Sequence, residues 1–277
     1  MPAVRRSDER KFWKGLCILF RGVIGEAKKG QGFLNGLTEG AMRFIKPGLM
    51  DQEVERLVSE MVNNQRKQSA LSWRQKAALS RNGKKFISLI QKEMKGPVGE
   101  RVLELIEENS QLIRTLPDEW ARYASEYAFR MAMKGERPEV IEAKLRKIMP
   151  EHITKNLKCI ARTECAKANA AIVQARAEAC GIRAYIWRCV RDERVRDAHR
   201  QMDGILVFYN DPPNPEALFG GARPYGNYHA GNTYNCRCFQ EPVVDIRFLP
   251  GSIRVHDHGS IRMMTRAQIE QKYGKIA

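Results

Sequence analysis

No stretch of this chain approaches the roughly 18 consecutive apolar residues needed to cross a bilayer. The apolar run from Leu16 to Phe20 is too short for the core of a signal peptide, and no small-residue cleavage pattern follows it closely. A membrane-embedded or secreted protein is therefore not expected. The seven cysteines (Cys17, Cys159, Cys165, Cys180, Cys189, Cys236 and Cys238) are odd in number and irregularly spaced. That argues against a disulfide framework and for reduced thiols in a protein made in a cytoplasm. The patterns H-E-x-x-H, G-x-S-x-G and G-x-x-x-x-G-K-[ST] are missing, which removes the readiest metalloprotease, hydrolase and phosphate-loop readings. Helix-turn-helix, zinc-finger and basic-zipper signatures are missing too, which weighs against a DNA-binding regulator. There are no internal repeats.

Positive charge is abundant: 48 Lys and Arg against 32 Asp and Glu, a net +16. It is uneven. Residues 1–100 hold 20 basic and 10 acidic side chains, residues 101–160 hold 11 and 10, and residues 161–277 hold 17 and 12. A basic first third lowers the free energy of approach to a polyanion through phosphate contacts and counterion release. Arg5, Arg6, Lys28, Lys29, Lys84 and Lys85 are the candidate nucleic-acid contacts. The plainer reading of the same residues is a solvated basic helix face.

The pattern along the chain predicts an α+β protein: a helical first two-thirds, a long Ala-rich helix, then a small, mainly antiparallel β module. Glycines punctuate residues 1–50, which read as an extended or partly ordered basic arm with at most short helices near Phe12–Phe20. Residues 51–150 read as a helical domain, with Asp51 as an N-cap, Pro117 and Pro150 as stops, and Pro138 opening a helix. Residues 151–245 read as the α+β module. Its Ala-rich helix runs from about His152 to Cys180, and Gly181 falls where a left-handed C-terminal residue is wanted. Strands are expected at 184–190, 205–209 and 236–244. The long Pro-, Gly- and Asn-rich loop between Asn210 and Asn235 is of a kind that usually has a function. Residues 246–277 read as a weakly patterned tail with one helix at 265–273.

Three clusters carry chemistry. The first is Arg162-Thr163-Glu164, with Asn169 and Arg176 further along the same helix, either a functional polar stripe or a solvated face. The second follows Trp187: Asp192, Arg194, Arg196, His199 and Asp203-Gly204, a dense packet of opposite charges in which Asp192 can take an arginine and fix the turn. The third is Asn235-Cys236-Arg237-Cys238. Two cysteines at i, i+2 share a strand face and can reach one metal. With His199 and a fourth ligand from Cys189 or His229 they would suit tetrahedral zinc. The plain alternative is a pair of small buried hydrophobes. His199, His229, Asp192 and Asp203 are also the residue types of general acid–base catalysis, so a nuclease-like enzyme using His199 and nearby acids is the competing reading.

In order, Arg162-Thr163-Glu164, Trp187, Asp192-x-Arg194-x-Arg196-x-x-His199, Asp203-Gly204, Asn235-Cys236-Arg237-Cys238 and Pro242 resemble the signature of the Mu F-like phage head-morphogenesis family. The stretch Asn109 to Pro117 resembles the segment that precedes that domain. The resemblance implies a minor capsid protein, not an enzyme, found in the virion near the portal. Its implied partners are the portal, other capsid or scaffold proteins and double-stranded DNA, with a role in head assembly or genome ejection. On the structural reading, Arg162, Glu164, Asp192, Arg194, Arg196 and Asp203 form a charge packet that acts as fold glue. Two positions depart from the family pattern: Cys189, in place of a small hydroxyl residue, and Val195, in place of threonine. The first adds a candidate zinc ligand.

Overall fold

The computed structural model describes residues 3–21, 24, 49–80, 82–190, 192–221 and 225–276. Lys28, Lys29 and most of the expected arm lie outside the described residues. The fold is α+β, as the pattern predicts. Helices α1 (Arg6–Leu19), α2 (Leu49–Leu79), α3 (Gly83–Lys92), α4 (Pro97–Ala132) and α5 (Pro138–Ala179) come first. Strand β1 (Ala184–Cys189), short helix α6 (Asp197–Met202), β2 (Leu206–Phe208), short helix α7 (Pro215–Phe219), β3 (Cys238–Pro242), β4 (Ser252–Asp257), β5 (Ser260–Thr265) and α8 (Arg266–Tyr273) follow.

Two compact units emerge. One comprises Met1–Arg6, Val62–Glu104 and Arg162–Ala277, the other Ser7–Met61 and Leu105–Ala161. Within the second, α1 approaches α2 so closely that a Cβ on Gly15 would sit 2.3 Å from a Leu57 methyl. Phe20 meets Trp120 edge-on with centroids 5.0 Å apart, and the Trp120 indole donates to Asn156 Oδ1 at 3.2 Å. Pro117 and Pro150 do not stop helices here; both lie inside them. An internal proline costs about 3 kcal/mol. The apolar rows on either side explain its tolerance: Ile113, Leu116, Trp120 and Ala124 around Pro117, and Leu145, Met149, Ile153 and Leu157 around Pro150, are all buried. Asp51 is not a cap; it lies in the first turn of α2 and forms an ion pair with Arg114, Oδ1 to Nε 2.9 Å.

In the first unit, Gly181 ends α5 with φ +76°, and Ile182 N–H returns to the Ala177 carbonyl at 2.8 Å. The chain then enters a five-stranded sheet of order β3-β1-β2-β4-β5. All pairs are antiparallel except β2 with β4. The alternation of β1 sorts its residues to two covered faces, which is why it reads as one apolar run. Ala184 and Ile186 join Leu206, Phe208, Val255, Ile269 and Ile276 on one face. Tyr185 and Trp187 join Met202, Val207, Tyr228, Cys236 and Cys238 on the other. The weakly patterned segment after residue 246 supplies the β4–β5 hairpin and α8, the helix starting with a capping box at Thr265 and Gln268.

Candidate metal centre

The second sheet face carries the chemistry, and every residue of it belongs to the first compact unit. His199, on α6, is 1% exposed. Its Nδ1 lies 3.6 Å from Cys236 Sγ and 3.4 Å from Cys238 Sγ. Among the described residues these three form the group whose ligand atoms all lie within 4.8 Å of one another. Cys189 is the β1 partner of Cys238 in the ladder, and its Sγ sits 3.2 Å from that of Cys238. His229, the other candidate fourth ligand, is elsewhere: its Nδ1 is 3.2 Å from the Tyr185 hydroxyl, and burial lowers its pKa to about 4. Metal–sulfur bonds of about 2.3 Å and metal–nitrogen bonds of about 2.0 Å, spread tetrahedrally, set ligand atoms roughly 3.5–3.8 Å apart. His199, Cys236 and Cys238 therefore fit a small tetrahedral cation in chemistry and spacing, while Cys189 touches Cys238 but falls outside the group whose ligand atoms all lie within 4.8 Å of one another.

The thiols differ. A hydrogen bond from Cys238 pushes the Cys236 pKa well down; burial opposes this, and neighbouring His199 reinforces it. Burial pushes Cys238 well up, helped by the sulfurs of Cys189 and Cys236. The surroundings thus favour the thiolate at Cys236 over that at Cys238, and a thiolate is the form that binds a cation. The Cys189 thiol donates to the His199 carbonyl at 2.8 Å. It also lines a cleft of about 410 Å³ with Val190, Asp192, Glu193, Arg200 and Asp203.

Local staples position these side chains. Cys236 precedes β3 in a turn rather than lying on the strand, and the turn is anchored one residue earlier. Asn235 adopts φ +53°, with its N–H on Thr163 Oγ1 at 2.9 Å and its Oδ1 accepting Arg162 Nη1 at 2.8 Å. Gly231, at φ +86°, lets the same loop approach the alanine face of α5; a Cβ there would sit 3.1 Å from Ala170 Cβ. Asp192 accepts Arg237 Nη1 at 2.5 Å, the Arg194 backbone N–H at 3.0 Å and Arg6 Nη2 at 3.4 Å. Asp203 Oδ1 accepts Cys189 N–H at 2.9 Å. Arg196 donates to the Tyr234 carbonyl at 2.7 Å and lies 4.6 Å from the Tyr225 ring centroid. Glu164 accepts Lys167 Nζ at 3.1 Å. The Arg194 side chain is exposed, as are Arg5, Arg6, Lys84 and Lys85.

Two site residues escaped sequence reasoning. Glu216 Oε1 and the Tyr228 hydroxyl lie 3.3 and 2.8 Å from His199 Nε2, and both residues are buried. Both come from the long loop. The available signal was Asn214-Pro215, a cap followed by a proline at a helix start; Asn214 Oδ1 indeed accepts Ala217 N–H at 3.1 Å. The stripe on α5 is also unlike a solvated face. Arg176 is 1% exposed, and its Nε donates to buried Glu93 at 2.8 Å.

Among the described residues no helix is long and apolar enough to cross a membrane. Residues 126–241 match the family described as Phage Mu protein F like protein. An uncharacterized protein of Haemophilus influenzae is 32% identical over 148 residues, covering 53% of this chain. The chain spans 30% of that relative's length. No solved structure matches.

Proposed function

We propose, from the match of residues 126–241 to the Phage Mu protein F like family, that this chain is a minor head protein of a tailed bacteriophage. It sits in the capsid interior near the portal, contacts portal and other capsid or scaffold proteins and packaged double-stranded DNA, and acts in head assembly, genome delivery or both. The observation that carries this reading is coincidence. The matched segment contains His199, its three cysteine neighbours, and the staples from Arg162, Thr163, Asp192 and Asn235. Mass spectrometry of gradient-purified heads tests it. The chain is expected in proheads and filled heads at far lower copy than the coat protein. Its confinement to the particle-free fraction overturns the reading.

Cys189, His199, Cys236 and Cys238 hold zinc in this proposal, with a structural role. Four protein ligands close a tetrahedral site, whereas a catalytic one keeps a position open. Metal analysis of the purified chain is expected to give one equivalent of zinc, lost in the Cys236→Ala, Cys238→Ala double variant. Zinc retained by that variant places the metal elsewhere.

The nuclease-like alternative gains no support from the geometry. His199 faces thiols on one ring nitrogen and Tyr228 and Glu216 on the other, while Asp192 and Asp203 are engaged by Arg237 and by Cys189 N–H. Nuclease activity that persists through purification and vanishes in His199→Ala would reverse the assignment. For DNA, affinity is expected to fall steeply with salt and to drop when Arg5, Arg6, Lys84 and Lys85 are replaced by alanine. Salt-independent binding rules out charge as the cause.

A further inference from the structure

Glu216 is a buried carboxylate, and nothing in the staples described above requires it. Its position is defined by His199. The imidazole turns its Nδ1 edge to Cys236 and Cys238, at 3.6 and 3.4 Å, and its Nε2 edge to Tyr228 and Glu216. The Tyr228 hydroxyl lies 2.8 and 2.7 Å from the two Glu216 oxygens. When Nδ1 gives its lone pair to a metal, the ring proton resides on Nε2. The proton count then closes: Nε2–H donates to the Tyr228 oxygen, with Glu216 Oε1 alongside at 3.3 Å, and the Tyr228 O–H donates to the carboxylate. Arg196 Nη1, which can only donate, lies 3.4 Å from Nε2; this contact is a hydrogen bond when Nε2 carries the lone pair and becomes a purely electrostatic approach once metal binding at Nδ1 puts the ring proton on Nε2.

We propose that Glu216 and Tyr228 form the outer shell of the metal centre, locking His199 as an Nδ1 ligand and tying the 210–235 loop to the bound metal. This inference rests on the zinc reading above. A carboxylate or phenol on the far nitrogen of a ligating imidazole fixes its tautomer and ring orientation and raises its basicity. The geometry also separates this role from catalysis. A general base must face the metal's open side, where a bound water would sit, yet Glu216 lies across the imidazole from the thiols. Glu216 and Tyr228 are therefore positioning residues. Because both enter from the loop, the metal also organises the loop's path over the sheet.

The test uses the full chain. Zinc stoichiometry is measured first, then affinity by competition with a chromophoric chelator, for wild type, Glu216→Gln, Tyr228→Phe and the exposed control Glu270→Gln, on α8. The visible spectrum is recorded with Co²⁺ in place of zinc. Both outer-shell variants are expected to bind one equivalent about 10–100-fold more weakly than wild type, with shifted Co²⁺ bands, while the control matches wild type. Glu216→Asp is expected to recover part of the loss. Limited proteolysis of the metal-loaded variants is expected to cut sooner between residues 210 and 235. Unchanged affinity and spectrum in Glu216→Gln and Tyr228→Phe overturn the outer shell and leave the zinc reading standing. A fall in melting temperature with affinity unchanged overturns the outer shell in the same way. A wild-type chain that takes up neither zinc nor Co²⁺ overturns the zinc reading itself. If Glu216→Gln does not fold, Tyr228→Phe, which removes one oxygen, decides the matter.

Discussion

Arg162 on α5 donates to the side-chain oxygen of Asn235 at 2.8 Å, and Asn235 occupies the left-handed region at φ +53°. The residue before Cys236 is thus held from a helix 73 positions earlier in the chain. Asn235→Gly keeps the backbone conformation and loses the charge-assisted bond, an expected cost of about 1.5–3 kcal/mol. Asn235→Ala adds roughly 1 kcal/mol for the left-handed conformation. Urea denaturation separates them. Equal midpoints for the two variants would show that the backbone conformation contributes nothing.

The buried pair of Arg176 and Glu93, with Arg66 Nη1 also on Glu93 at 3.0 Å, makes a second prediction. Glu93→Ala leaves Arg176 uncompensated and is expected to destabilise the fold by about 3–5 kcal/mol. Replacing Glu93 and Arg176 together with apolar residues of similar volume, Glu93→Leu with Arg176→Met, takes Glu93 away only from the partly exposed Arg66 and is expected to cost much less. Thermal melts of the single and double variants check this. A double variant as unstable as Glu93→Ala contradicts the desolvation argument.

A third prediction concerns pH. Burial lowers the His229 pKa from 6.5 to about 4, so between those values the unfolded chain binds a proton that the folded one refuses. Stability therefore rises with pH across that window. The contribution lost on going from above 6.5 to below 4 is about 3 kcal/mol. His229→Gln should flatten the stability profile between pH 7 and pH 4.5. Glu241 acts lower. Burial raises its pKa, but hydrogen bonds from Lys76 and Arg188 outweigh that and hold it at about 2. Its contribution is present above the usual glutamate range and disappears as pH falls toward 2. An unchanged profile in His229→Gln would remove histidine burial as the cause.

A fourth prediction follows from the internal prolines. Pro117→Ala supplies an N–H within α4 and is expected to raise stability by about 1–3 kcal/mol. A rise in melting temperature checks it; a fall would mean that the proline's ring packing outweighs the missing bond.

The residues themselves determined a good deal. The α+β class, the end of α5 at Gly181, strands β1 and β2, and the convergence of His199 with Cys236 and Cys238 follow from patterns spanning a few residues, or from motifs read in order. Such features depend on near-neighbour sterics, side-chain alternation and the donor types present. Tertiary structure alone decided the rest. It chose Cys189 over His229 beside Cys238, because pairing β1 with β3 sets Cys189 opposite Cys238. It brought Glu216 and Tyr228 to the far side of His199, buried Arg176 against Glu93, carried helices through Pro117 and Pro150, and built the β4–β5 hairpin from a segment with little pattern of its own. Each outcome depends on surfaces contributed from distant parts of the chain, where burial and partner geometry outweigh local preference.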